Sequence, residues 1–240
     1  MLTEQALPPR SARVLVFIPC FNDARKLAEL TRSVEAQGER YSSLVIDDGS
    51  YEPVRPEALS PRSLCVRLPA NFGLGVATHV AFGHALRHGY GVVARVDADG
   101  QHDVGDVVRL VREIEEGGAD IAIAQRLNQD KGARARRLAK AYYRMLARFV
   151  TFGRAPLDMN SGLFALTARA IERLNRMTFE RFPEPEMFVA AIRAGMSVRC
   201  IDVRQNPREH GRSKLGPVQG VQMLFRFHLF IVTELLRRRP

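Results

Sequence analysis

The apolar run Gly91-Val92-Val93-Ala94-Arg95-Val96 reads as a buried strand, and it stops abruptly in Asp97-Ala98-Asp99-Gly100-Gln101-His102-Asp103. The same arrangement, a strand-like run that ends in a polar loop and gives way to a helical pattern, is present earlier in the chain. Arg13 to Pro19 leads into Pro19-Cys20-Phe21-Asn22-Asp23, and Ser43 to Asp47 leads into Asp47-Asp48-Gly49-Ser50. Strands alternating with helices predict an α/β fold with a mostly parallel sheet. In open sheets of this kind ligands bind beyond the carboxyl ends of the strands, so three polar strand ends predict one shared site.

The spacing predicts helices over Asp23–Gln37, Leu74–His88, Val104–Glu116 and Glu186–Ala194, and further strands over Leu64–Leu68 and Asp120–Ala124. Tyr51 to Ser63, with three prolines, reads as a connecting loop. Residues 1–12 read as a flexible leader, 13–215 as the main domain and 216–240 as an amphipathic C-terminal helix.

Lys and Arg number 36 against 26 Asp and Glu, a net charge of +10, which predicts an anionic partner. Nucleic acid is not expected, because aromatic residues are not interleaved with the basic ones and no nucleic-acid motif is present. An acidic membrane surface or a phosphorylated substrate remains. Cys20, Cys65 and Cys200 are far apart and read as thiols of a reducing compartment, not as a disulfide frame or a zinc site. The N-terminus lacks the pattern of a secretory signal, and no stretch offers about 20 uncharged apolar residues for a membrane span. The expectation is a cytoplasmic protein, peripheral at the inner face of the membrane.

Two carboxylates at i and i+2 where a strand breaks into a loop can converge on one hard cation. Asp97 and Asp99 have that spacing, Gln101 supplies a third oxygen, and Gly100 lets the backbone turn between them. Such a set suits Mg²⁺ or Mn²⁺, which keep positions open for substrate phosphate. An isolated Asp-x-Asp is equally an ordinary solvated turn. In Asp47-Asp48-Gly49-Ser50 an Asp carboxylate can accept from a base N–H or a ribose hydroxyl while Gly49 permits close approach, although an Asp-Gly turn alone asks for no ligand. Asn71-Phe72-Gly73-Leu74-Gly75 opens a helix whose first N–H groups can face phosphate.

The ordered set Pro19 to Asp23, Val45 to Ser50, Asn71 to Ala77, Asp97 to His102, Asp158 to Phe164 and Arg208 to Lys214 resembles family 2 of the glycosyltransferases. It is closest to the polyprenyl-phosphate, dolichyl-phosphate mannose synthase-like branch. The resemblance spans roughly residues 13 to 215 and implies the GT-A fold, a Rossmann-like mixed, mostly parallel sheet flanked by helices. It implies a donor that is a UDP- or GDP-linked sugar, with Pro19, Asp23, Asp48, Asn71 and Asp97 lining the nucleotide pocket. Asp97, Asp99 and Gln101 would hold Mg²⁺ or Mn²⁺ against the donor diphosphate, which makes Asp99 central to catalysis. Arg126, with Arg136 or Arg137 and the Arg208, Ser213 and Lys214 loop, would receive the phosphate of a polyprenyl phosphate or other lipid-linked acceptor. Asp23 stands where Glu is usual in the family, and Phe21 replaces a frequent Tyr; both changes bear on base preference.

A sister reading places the sugar on a glycan hydroxyl during polysaccharide or lipopolysaccharide assembly. That acceptor needs a carboxylate base, for which Glu184 and Glu186 are the candidates. A lipid phosphate is already anionic and needs none, and acids at a helix start are in any case favoured by its dipole. Arg137, Lys140, Arg144 and Arg148 recur on one face of a helix, with Leu138, Tyr142, Met145, Leu146 and Phe149 on another. In Pro217 to Leu236, Gln219, Gln222, Arg226 and Thr233 form a polar stripe beside Val221, Leu224, Phe225, Leu229, Val232 and Leu236. Both patterns suit an interfacial helix on an anionic membrane; a core helix, a homodimer or a membrane-protein partner is the alternative for the second.

Overall fold

The computed structural model describes residues 13–126, 134–177, 183–204 and 217–236, with the side chains of 134–137, 139–140 and 217–223 outside that description. Among the described residues seven strands form one sheet: β1 (Val14–Cys20), β2 (Tyr41–Asp47), β3 (Ser63–Arg67), β4 (Val92–Arg95), β5 (Ile121–Arg126), β6 (Phe164–Thr167) and β7 (Val198–Val203). Their order is β3-β2-β1-β4-β6-β5-β7, and β6 alone runs antiparallel to its neighbours. The helices are α1 (Leu27–Glu35), α2 (Leu74–His88), α3 (Val104–Glu115), α4 (Arg134–Val150), α5 (Ala168–Leu174), α6 (Glu184–Arg193) and α7 (Pro217–Leu236).

Side chains of successive strand residues point to opposite faces, and both faces are buried. Val14, Val16 and Ile18 face Leu27, Leu30 and Val34 of α1 and Val107, Leu110 and Val111 of α3. Leu15, Phe17, Leu44 and Ile46 face a larger layer that includes Phe82 of α2, Ile171 of α5 and Phe188 of α6. Local signals fix the helix ends. Asp103 caps α3 by accepting from the Gly105 N–H at 2.7 Å, and Gly89 ends α2 in the left-handed region at φ 69.

The mostly parallel sheet is the architecture the alternation predicts, its mixed character is what the family resemblance implies, and α2 has the expected bounds. Three elements were not expected from the pattern: β6, α5 and β7. The helix expected from Asp23 begins only at Leu27, after a turn over residues 25–26.

On α4 the apolar stripe is turned away from the core. Leu138, Tyr142, Met145 and Phe149 are exposed, whereas Tyr143, Ala147 and Val150 are buried. The contacts behind α4 are with α6 and α7, and Tyr143 stacks on Phe227 at a ring separation of 4.0 Å. On α7, Phe227, Ile231 and Glu234 are buried while Phe225, Leu229, Val232 and Leu236 are exposed. Arg193 ties α6 to α7 through a 2.8 Å hydrogen bond to the Glu234 carbonyl and a 3.6 Å ion pair with its carboxylate. Among the described residues no helix is long and apolar enough to cross a membrane.

Candidate active site

The register brings the polar strand ends to one edge. Cys20 pairs with Asp47 across β1 and β2, and Phe17 pairs with Arg95 across β1 and β4, so the loops after β1, β2 and β4 emerge together. Because β6 runs antiparallel, the segment Asp158–Leu163 that precedes it enters from this same edge.

The loops after β1, β2 and β3 are woven together by the Asp47–Ser50 segment. Asp47 is fully buried and accepts from the N–H of Ser50 at 2.8 Å, the N–H of Val54 at 3.2 Å and Arg67 Nη1 at 2.6 Å. Burial alone would raise its carboxyl pKa; the hydrogen bonds from Ser50, Val54 and Arg67 outweigh that and hold it below the usual carboxylate range. Asp48 accepts from the N–H groups of Phe72 and Gly73, both at 2.8 Å, which binds the Asn71 loop to the end of β2. Asn22, in the left-handed region at φ 55, receives the Tyr51 N–H at 2.9 Å and donates its own N–H to Ser50 Oγ at 2.9 Å. A Cβ on Gly49 would lie 2.5 Å from the Ala70 carbonyl carbon, so only glycine allows the loops to approach this closely. Asp48 thus holds the loop that contains Asn71, while Pro19 lies at the end of β1 and Asp23 in the loop that follows it. Asp23 pairs with Arg25 at 3.5 Å near the surface, a contact of little energetic weight.

A second group surrounds Asp97. Arg95, at the end of β4 and only 2% exposed, directs Nε and Nη2 to Asp97 Oδ1 at 3.2 and 2.7 Å. Its Nη1 pairs with the buried carboxylate of Glu184 at the start of α6, and its guanidinium lies 5.7 Å from the Phe164 ring centre. Burial opposes the charge on Arg95, but Asp97 and then Glu184 reverse the effect and leave the guanidinium more firmly protonated than in water. On the other side of Asp97, a Cβ added to Gly162 would sit 2.2 Å from Oδ2. Asp99 Oδ1 accepts the Gln101 N–H at 3.1 Å, tightening the turn at Gly100. The Lys26 side chain lies over this turn, its Nζ 2.8 Å from where a Gly100 Cβ would be.

Arg126, at the end of β5, forms a two-pronged pair with Asp158: Nε to Oδ2 at 2.6 Å and Nη2 to Oδ1 at 2.9 Å. Nη2 also reaches the Asn160 carbonyl at 3.0 Å. Burial disfavours its charge, yet Asp158 holds its pKa above the ordinary value. Glu186 is buried near Tyr143, whose hydroxyl pKa is raised by burial and further by the carboxylates of Glu186 and Glu184. Arg136 and Arg137 fall in the first turn of α4, with their side chains outside the description; Arg208, Ser213 and Lys214 lie outside the described residues.

Asp97, Asp99 and Gln101 offer two carboxylates and an amide oxygen on one loop, and this donor set fits a hard divalent cation. His102, next in the chain, is buried with no hydrogen-bond partner for Nδ1 among the described residues, and burial lowers its pKa despite the nearby Asp97 and Asp99. Among the described residues no group of three or more His, Cys, Asp or Glu side chains is arranged for a metal.

Sequence reasoning quoted Asn22, Asp47 and Gly162 only within motifs, and passed over Arg95 and Lys26 as contributors. Arg95 had a readable signal: a cation inside an apolar run, two residues before Asp97, must find buried counter-charge.

An open α/β sheet with acidic and glycine-bearing loops at its carboxyl edge places a ligand site at that edge. The sequence model of glycosyl transferase family 2 matches residues 15–175, and the chain belongs to that family. Polyprenol monophosphomannose synthase of Mycolicibacterium smegmatis is 29% identical over 85% of this chain and 81% of its own. Undecaprenyl-phosphate 4-deoxy-4-formamido-L-arabinose transferase of Edwardsiella ictaluri is 26% identical over 93% of this chain and 69% of its own. Among solved structures, glucosyl-3-phosphoglycerate synthase of Mycobacterium tuberculosis, in complex with Mn²⁺, UDP and phosphoglyceric acid, superimposes with a TM-score of 0.70. It covers 92% of this chain and 78% of its own at 17% identity, which places the two in one fold, the GT-A fold.

Proposed function

We propose that the protein moves a sugar from a UDP- or GDP-linked donor to a polyprenyl phosphate, inverting the anomeric carbon. The observation that carries this reading is the state of the two acids a hydroxyl acceptor would need. Glu184 is buried and paired to Arg95, and Glu186 is buried beside Tyr143. A phosphate acceptor requires neither, because its oxygen is already anionic. The names of the two similar transferases, which act with polyprenol and undecaprenyl phosphate, agree with it.

The lipid phosphate oxygen attacks the anomeric carbon from the face opposite the donor diphosphate. The new carbon–oxygen bond forms as the bond to the diphosphate breaks, and no proton has to move. Asp97, Asp99 and Gln101 would hold Mg²⁺ or Mn²⁺, which neutralises charge on the departing nucleoside diphosphate. Asp48 orders the Asn71 loop for the nucleotide. Arg126, oriented by Asp158, joins Arg136, Arg137, Arg208, Ser213 and Lys214 in receiving the acceptor phosphate; a planar guanidinium suits that task.

The exposed stripes of α4 and α7 serve to bring the enzyme to its lipid. Leu138, Tyr142, Met145 and Phe149 on α4 are joined to α7 through Tyr142, which stacks on His228 and meets its Nε2 at 2.8 Å. Arg144 and Arg148 are exposed on α4 beside that apolar stripe. An apolar band edged by arginine suits the headgroup region of an anionic bilayer, and the enzyme is then peripheral on the cytoplasmic face.

The test is Mn²⁺-dependent transfer from radiolabelled UDP- and GDP-sugars to short-chain polyprenyl phosphate, with Asp99→Asn as control. Label entering the organic phase with wild type and absent with the variant supports the reading. Donor hydrolysis without lipid labelling moves the assignment to a glycan acceptor.

A further inference from the structure

Arg95 stands where the alternation of β4 calls for an apolar side chain. It pairs across the sheet with Phe17 on one side and Phe164 on the other, on the face that α6 covers. A guanidinium taken out of water survives there only with close counter-charges, and an apolar residue would fill the same space without that cost. Packing therefore does not account for it. What the cation adds is direction. Two of its nitrogens converge on Asp97 Oδ1, and the third is occupied by Glu184 from behind. Gly162 closes on Oδ2. The Asp97 side chain nevertheless keeps 36% of its surface exposed, so it remains open to a ligand.

We propose that Arg95 is a positioning residue: braced by Glu184, it presets the Asp97 carboxylate for the divalent cation and diphosphate of the donor. This rests on the donor reading above and deepens it. Glu184 is then the counter-ion of Arg95 and takes no proton from an acceptor. The first residue of α6 supplies the brace, so the metal loop is held from the helical layer as well as from its own strand.

The experiment is Mn²⁺ binding measured by electron paramagnetic resonance, with UDP and with GDP, together with thermal melting. Wild type is compared with Arg95→Lys and with the double variant Arg95→Met/Glu184→Gln. The double variant removes one positive and one negative charge, so the net charge of the cluster is unchanged. The expected result is near-native melting with a Mn²⁺–nucleotide dissociation constant raised about tenfold to hundredfold, as for lost outer-shell partners of a metal ligand. Arg95→Lys, which keeps the charge but cannot place two donors on Oδ1, is expected to fall between wild type and the double variant. A folded double variant or a folded Arg95→Lys that binds Mn²⁺ and nucleotide as wild type does overturns the proposal. If neither variant folds, Arg95 serves the fold and the proposal is equally overturned. Failure of wild type itself to bind Mn²⁺ with either nucleotide refutes the donor reading, a separate outcome.

Discussion

Gly162 packs against the carboxylate of Asp97 just beyond Arg95 and Phe164, the last pair of β4 and β6. There is no room between them: an added Cβ would lie 2.2 Å from Oδ2 and 2.9 Å from Cγ of Asp97. Gly162→Ala must displace the Asp97 carboxylate, which Arg95 holds on its other oxygen. Because the clash is with the tip of a side chain, the fold should lose only about 1 kcal/mol. Turnover should fall about 100-fold, the usual consequence of moving a reacting group by an ångström. Melting temperature and steady-state kinetics on one preparation check this; an alanine variant with native turnover would show that Asp97 has no positional role.

Asp47 makes stability depend on pH. Its carboxyl pKa is depressed in the folded protein: burial pushes it up, and the hydrogen bonds from Ser50, Val54 and Arg67 more than reverse that. A depressed folded value means that the unfolded chain takes up the proton first. The stabilisation is therefore complete above the unfolded value of about 4 and is lost as pH falls through the lower folded value. Asp47→Asn should cost on the order of 2 kcal/mol at neutral pH, discounted because Arg67 is partly in water. Melting curves of the two proteins should converge below about pH 4. A gap that stays constant down to pH 2 would assign the loss to geometry instead of charge.

Asp48 is expected to act on donor affinity. Both its oxygens hold backbone N–H groups of the Asn71 loop, at Phe72 and Gly73. Asp48→Ala releases that loop from β2, and the KM for the donor sugar nucleotide should rise about tenfold, the weight of one charge-assisted hydrogen bond. The rate at saturating donor should change less. A fall in kcat with unchanged KM would place Asp48 nearer the reacting atoms than this geometry does.

The parallel half of the sheet was legible in the sequence because β1, β2 and β4 are largely apolar runs that give way to polar, acid-bearing loops. β6 was not, for it is four residues long and α5 follows it directly. In β7 the charges at Arg199 and Asp202 blur the pattern of an edge strand that is buried mainly at Val203. The acids of the site were visible as residue types, but their division of labour was not. Asp47 and Asp48 are adjacent and alike in sequence; one folds its own loop and the other holds a neighbouring one, a difference set by which N–H groups the tertiary fold brings to each. Glu184 reads in the sequence as a candidate base, and its ion pair with Arg95, 89 residues away, is a contact that no local pattern announces.

The last prediction concerns the outward stripes. Phe149 is 75% exposed on α4 and Leu229 is exposed on α7, so neither supports the core. Phe149→Glu and Leu229→Glu should leave the melting temperature within the small range typical of surface changes, about 0.5 kcal/mol. Each removes an apolar group worth roughly 1.5–3 kcal/mol when buried, so binding to vesicles containing anionic lipid should weaken about tenfold or more. Turnover with a short, water-soluble polyprenyl phosphate should be unchanged, while turnover with long-chain acceptor in vesicles should drop in step with binding. Raising the salt concentration should weaken vesicle binding of wild type as well, because Arg144 and Arg148 contribute through screened charge. If the variants bind vesicles as wild type does, the stripes face something other than a bilayer. A loss of self-association in the same variants, measured by sedimentation, would then identify a second copy of this chain as the occupant.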